Sequence, residues 1–154
     1  MLGITKVAMR VTPEFVTQEN GACAQALPEG VLDGLIALGL EFDLKLIILF
    51  GSRARGLFRS NSDYDIAIVE KHFLPPSVKE SIEFKISSML SGTDTVFTQD
   101  NGPLLLANIV REALVIYEAQ PHDFSFFELS WWRKYNEYLP YLELRRALLR
   151  ASLS

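Results

Sequence analysis

Cysteine is almost missing from this chain. Cys23 stands alone among 154 residues, which excludes an intrachain disulfide and any zinc site built from several cysteines, and suits a reducing cytosol. Histidine is nearly as scarce. His72 and His122 lie far apart, and neither has metal-ligand spacing to the other or to the cysteine, so both read as surface or loop residues. No apolar run approaches the length of a membrane span, and the N-terminus lacks the long apolar core and cleavage site of a signal peptide. The expectation is a soluble, cytoplasmic protein with no membrane partner. Basic charge is not in excess either: 15 Lys and Arg against 19 Asp and Glu leave a net charge of −4. That balance argues against a protein that grips nucleic acid mainly through a basic surface, so direct nucleic-acid binding is not expected. Internal repeats, low-complexity tracts and a linker to a second domain are absent as well.

What remains is a chain that is 49% hydrophobic and long enough for one domain with a real core. Residues 1 to 27 carry weak periodicity, with "VAMRVTPEFV" compatible with a short strand or an irregular arm, and stay unassigned. From Pro28 to the end the pattern predicts a single domain. "PEGVLDGLIALGLEF" has helical apolar spacing despite two internal glycines, and "KLIILF" reads as a short buried strand closed by Gly51. "SRARG" can begin a short helix. "DYDIAIV" alternates as a second strand, with Asp63, Asp65, Ala67 and Val69 on one face. Pro75 and Pro76 open a helix through about Leu90, Gly92 stops it, and "TDTVFT" is a third strand. "GPLLLANIVREA" and "LVIYE" follow as helix and strand, and Asp123 caps a closing helix that Pro140 should kink or break. These elements predict an α/β (α+β) fold, a small mixed sheet of about four or five strands with flanking helices and a site at one sheet edge.

The chemistry is carried by "LFGSRARGLFRSNSDYDIAIVE", residues 49 to 70. Asp63 and Asp65 sit at the start of a strand otherwise built for burial, and Asp94 interrupts the β-formers of another. A buried carboxylate must find hydrogen bonds, a cation or a metal, and like charges nearby raise the cost. Magnesium takes oxygen ligands and keeps sites free for water and phosphate oxygens, so an aspartate trio points to a metal site that holds a triphosphate. The Gly-Ser turn supplies the other half: Gly51 lets backbone approach phosphate, Ser52 offers a hydroxyl and an amide, and Arg53 and Arg55 add positive charge. Together these features describe phosphoryl transfer with pyrophosphate as leaving group, Asp63, Asp65 and Asp94 being the catalytic and metal-binding candidates. The opposing reading is a turn-rich loop in which Ser62 and Asp63 merely start a strand while Asp65, and Asp94 with it, faces solvent. A hydrolase nucleophile at Ser52 is set aside, because no G-x-S-x-G elbow surrounds it.

At these residues the chain resembles a known family. "GSRARGLFRSNSDYDI" is similar to the signature of the DNA polymerase beta-type nucleotidyltransferase superfamily: Gly-Ser, ten residues, then Asp-x-Asp. "TDTVFTQDNGPLLLANIVREALVIYE" resembles the third-carboxylate strand, helix and last strand of its small prokaryotic branch, the minimal nucleotidyltransferase (MNT) domains. The resemblance spans about residues 28 to 150. It implies a polymerase beta-like fold, Asp63 and Asp65 as paired metal ligands, Asp94 as third carboxylate and base, and Gly51 with Ser52 as holders of the nucleotide phosphates. Thr93 and Phe97 depart from the branch's usual third strand, which carries an apolar residue before the aspartate and a second acid after it. The resemblance further implies Mg2+ as cofactor, ATP as substrate, and a HEPN-domain toxin as partner, to whose tyrosine AMP would be transferred by the chain acting as antitoxin. A non-catalytic toxin-binding module and a transferase for a small molecule such as an antibiotic are the alternatives.

The closing segment is dense in aromatics. Phe124, Phe127, Trp131, Tyr135, Tyr138 and Leu142 fall near helical spacing and read as a core stripe, whereas Phe126, Trp132 and Tyr141 cannot share that face and leave surface for a partner chain or a homo-oligomer. Arg145, Arg146 and Arg150 near the helix end complement its dipole or touch RNA, the former being the simpler reading.

Overall fold

The computed structural model describes residues 26–56 and 61–154, so all of the unassigned N-terminal segment except Ala26 and Leu27 lies outside the described residues, as does the "VAMRVTPEFV" strand reading. The elements run α1 (Val31–Glu41), β1 (Leu46–Phe50), α2 (Gly51–Ala54), β2 (Tyr64–Val69), α3 (Pro76–Met89), β3 (Thr93–Phe97), a 3-10 turn (Thr98–Asp100), α4 (Pro103–Glu112), β4 (Leu114–Glu118) and α5 (Asp123–Leu153). Each short apolar or alternating run became a strand, and each Pro-opened segment a helix, because proline at the first turn costs no hydrogen bond there.

The four strands form one mixed sheet in the order β3-β2-β1-β4. β1 is antiparallel to both its neighbours, while β2 and β3, joined through α3, are parallel. All five residues of β1 are buried, as a central strand covered on both faces requires. On one face Ile47, Leu49, Tyr64, Ile66 and Ile68 pack with Leu35 and Leu38 of α1 and Ile82 and Ile86 of α3. On the other, Leu46, Ile48, Phe50, Ala67 and Val69 pack with Leu106 and Ile109 of α4 and Trp131 of α5. The glycines inside α1 are packing residues: a Cβ on Gly39 would come within 2.6 Å of the Tyr117 ring, and one on Gly34 within 2.5 Å of the Met89 sulfur.

Two sequence expectations about the last helix are corrected. His122 holds the N-cap position and Asp123 is the first helical residue, its Oδ2 accepting the Gln120 N–H at 2.8 Å, so Asp123 closes the preceding turn instead of capping the helix. Pro140 lies inside an unbroken helix. Asn136, whose carbonyl proline leaves without a donor, and Pro140 itself are both exposed, so water can satisfy that carbonyl. The aromatic stripe joins the core over its first part: Trp131 is buried, Phe124, Phe127 and Tyr135 pack on the same cluster, and the Trp131 Nε1–H donates to the Pro103 carbonyl at 3.0 Å, whereas Tyr138 and Leu142 belong to neither core cluster. Phe126, Trp132 and Tyr141 are exposed.

Candidate active site

Alternation along β2 sends Tyr64, Ile66 and Ile68 into one core and leaves Asp65 on the face of Ala67 and Val69, toward α4. Asp63 precedes the strand by one residue. The parallel register then aligns Asp65 with Asp94, and Tyr64 with Thr93, so two aspartates from separate segments become neighbours across adjacent strands. Asp65 is half-buried, Asp63 and Asp94 are exposed. Burial first, and then the charges of Asp94, Asp63 and Glu112, push the Asp65 carboxyl above its ordinary pKa. This electrostatic strain is the mark of acids gathered at one place.

Two glycines make room for them. Gly51, at φ +76°, follows the residue paired with Asp65; a Cβ there would overlap Asp65 Oδ2 and lie 3.0 Å from its Cγ. Gly92, at φ +69°, would bring a Cβ within 3.1 Å of Asp63 Oδ1. Left-handed backbone favours glycine at both turns, and at Gly51 lack of space adds to it.

The arginines divide. Arg53 is buried: its Nε and Nη2 donate to the Ser62 carbonyl at 3.1 and 2.8 Å, and its guanidinium stacks 4.1 Å from the Tyr64 ring centre. It clasps the segment that carries Asp63 and Asp65. Arg55 is half-exposed, with Nη1 3.3 Å from Glu112 Oε1. Ser52 is half-buried in the first turn of α2.

Sequence reasoning missed Glu112. Its Oε2 accepts the Gly51 N–H at 2.9 Å, across 61 residues of chain. A signal was present: an acid in the last turn of a helix faces the negative end of the helix dipole, so a compensating partner is called for.

Asp63, Asp65 and Asp94 supply oxygen donors only, the chemistry that suits Mg2+ over softer metals. Among the described residues no group of three or more His, Cys, Asp and Glu side chains is gathered tightly enough to enclose an ion. Beside Asp63 a hollow of about 290 Å³ opens between Arg53, Tyr64, Leu90 and Gly92. No helix among the described residues is long and apolar enough to cross a membrane.

Known proteins share this fold. The family model described as polymerase beta, nucleotidyltransferase matches residues 38–122, from the end of α1 to the N-cap of α5. A protein adenylyltransferase MntA of Aphanizomenon flos-aquae is 32% identical over 99 residues, 55% of this chain and 64% of that protein, so the match spans less than two thirds of the relative. Among solved structures, a toxin-antitoxin with AMP-PNP superimposes with a TM-score of 0.65 at 24% identity, covering 80% of this chain and 98% of the other. A complex of tri-AMPylated Shewanella oneidensis HEPN toxin with MNT antitoxin gives 0.59 at 22% identity, covering 80% and 96%. These structural likenesses establish the fold. With the Gly-Ser turn, the paired aspartates and the third acid inside the matched stretch, the chain belongs to the polymerase beta nucleotidyltransferase family.

Proposed function

We propose that the chain transfers AMP from ATP to a hydroxyl, a tyrosine of a HEPN-type toxin, and so acts as a cytoplasmic antitoxin. The observation that carries the reading is the β2–β3 register, which makes Asp65 and Asp94 neighbours beside the Gly51 turn. The adenylyltransferase relative supports the choice of AMP, and the fold neighbours solved as toxin-antitoxin complexes support the choice of partner.

Asp63, Asp65 and Asp94 would hold Mg2+, which when bound supplies positive charge against the triphosphate and the attacking oxygen. The chain's own groups do the rest. Asp94 takes the proton of the acceptor hydroxyl as that oxygen bonds to the α-phosphorus. The bond from the α-phosphorus to the bridging oxygen breaks, and pyrophosphate leaves with the electron pair. Gly51 lets the backbone come close to the departing phosphates, and Ser52 and Arg55 bind them, contacts that strengthen as negative charge moves onto them. Arg53 contributes from the buried side by holding Ser62, and with it Asp63 and Asp65, in place.

The test is incubation with labelled ATP, magnesium and a HEPN-type toxin, repeated with Asp63→Ala and Asp65→Ala combined. Label should appear on the toxin with the native chain and disappear with the double variant; undiminished transfer by that variant overturns the assignment. A second reading, an antitoxin that neutralises by binding alone, is favoured by the exposed Phe126 and Trp132 of α5. It wins if the two proteins associate and no label moves.

A further inference from the structure

Glu112 is the last residue of α4, where its charge meets the negative end of the helix dipole. It is held there by what it binds: the Gly51 amide at 2.9 Å and the Arg55 guanidinium at 3.3 Å. The amide contact has a geometric meaning. Gly51 has no side chain to anchor it, sits at φ +76°, and its Cα faces the Asp65 carboxylate too closely for a Cβ to fit. Its backbone must therefore be fixed through its polar groups.

We propose that Glu112 is a positioning residue for nucleotide transfer: by gripping the Gly51 amide it fixes the turn that walls in Asp65, without touching substrate itself. The proposal rests on the transferase reading above. A glutamate suits the task because one of its oxygens accepts the Gly51 N–H while the other draws Arg55 back across the same turn.

The variants Glu112→Ala, Glu112→Asp and Glu112→Gln separate this from a merely structural role. Alanine removes the acceptor, aspartate is one methylene too short to reach, and glutamine keeps an acceptor oxygen. The readout independent of turnover is amide hydrogen exchange at Gly51, followed by NMR. Exchange should speed up by about tenfold or more in the alanine and aspartate variants and stay within about threefold of native in the glutamine variant, with β1 amides unchanged. In the transfer assay, the first two should lose about tenfold in kcat with KM for ATP within about threefold, and glutamine should restore most of the rate. Unaltered Gly51 exchange in both the alanine and aspartate variants overturns the proposal, as does a glutamine variant as slow as alanine. If the exchange pattern appears but the native chain transfers no label, the transferase reading falls and the hold of Glu112 on the turn stands.

Discussion

Replacing Gly51 with alanine tests the geometry of the site most directly, because two separable penalties meet at that residue. The backbone sits at φ +76°, which costs an L-residue about 1–2 kcal/mol. The added Cβ would also overlap Asp65 Oδ2 and crowd its Cγ at 3.0 Å, so the carboxylate must leave its rotamer at about 0.5–1.5 kcal/mol. The sum is about 1.5–3.5 kcal/mol, or roughly 3–14 °C in Tm for a chain of this size. Gly30 provides the control: it has φ +81° and open space, so Gly30→Ala should show the backbone cost alone. A double-mutant cycle then isolates the clash. In an Asp65→Ala background the backbone cost of Gly51→Ala persists while the steric part vanishes, giving a coupling of about 0.5–1.5 kcal/mol by urea unfolding. The pair Gly30→Ala with Asp65→Ala should show none. Equal cost of Gly51→Ala in both backgrounds would refute the claim that this turn is pressed against the carboxylate.

Three further outcomes follow from the same contacts. Asp65 has its pKa raised by burial and by its acidic neighbours, so between the unfolded value of about 3.9 and the folded one the native state holds more protons, and stability falls as pH rises through that window. Asp65→Asn should thus be more stable than the native chain at neutral pH, match it in stability slope below the window, and lose transfer; an advantage that shrinks as pH rises would contradict the cause given. Arg53→Lys keeps the charge and loses both the fork onto the Ser62 carbonyl and the stacking on Tyr64, a cost of about 1.5–3 kcal/mol by urea unfolding, and native-like stability would show that the clasp is idle. Trp131→Ala should cost about 3–5 kcal/mol, and Trp131→Phe about 1–2 from the lost bond to Pro103 and the lost volume; identical values for the two would deny that α5 is docked through that side chain.

The elements were legible because their signals are local. The alternation at residues 64–69, the prolines opening α3 and α4, and the solid apolar run of β1 each declare their element within a few residues. The strand expected from Asp63 begins at Tyr64, a one-residue shift of the kind expected where a chain leaves a turn. Asp65 stood out in sequence because a carboxylate among β-formers needs a reason. Glu112 did not, because its partners are Gly51 and Arg55, far away in the chain, and a single acid at a helix end is an ordinary sight. Pro140 misled for the opposite reason: proline's local rule is strong, but on an exposed helix little enforces the break.

What places Asp94 beside Asp65 is not written in either segment alone. A slip of one residue between β2 and β3 would turn Asp94 to the opposite face, toward the core of α1 and α3. The register is held where the strands begin, by the Tyr64 N–H donating to the Gly92 carbonyl at 2.8 Å, immediately before the Tyr64–Thr93 and Asp65–Asp94 pairs. Gly92 is also the residue that makes room for Asp63. Tyr64 in turn is covered by Arg53, which holds Ser62. Thus the same few residues that bring the acids together also resist their repulsion: Arg53 and Gly92 hold the start of β2 against the start of β3, and Glu112 and Gly51 close the opposite side. Because the parallel pairing is enforced by backbone bonds and by apolar contacts on the far face, Asp65 and Asp94 stay neighbours even while their charges disfavour it.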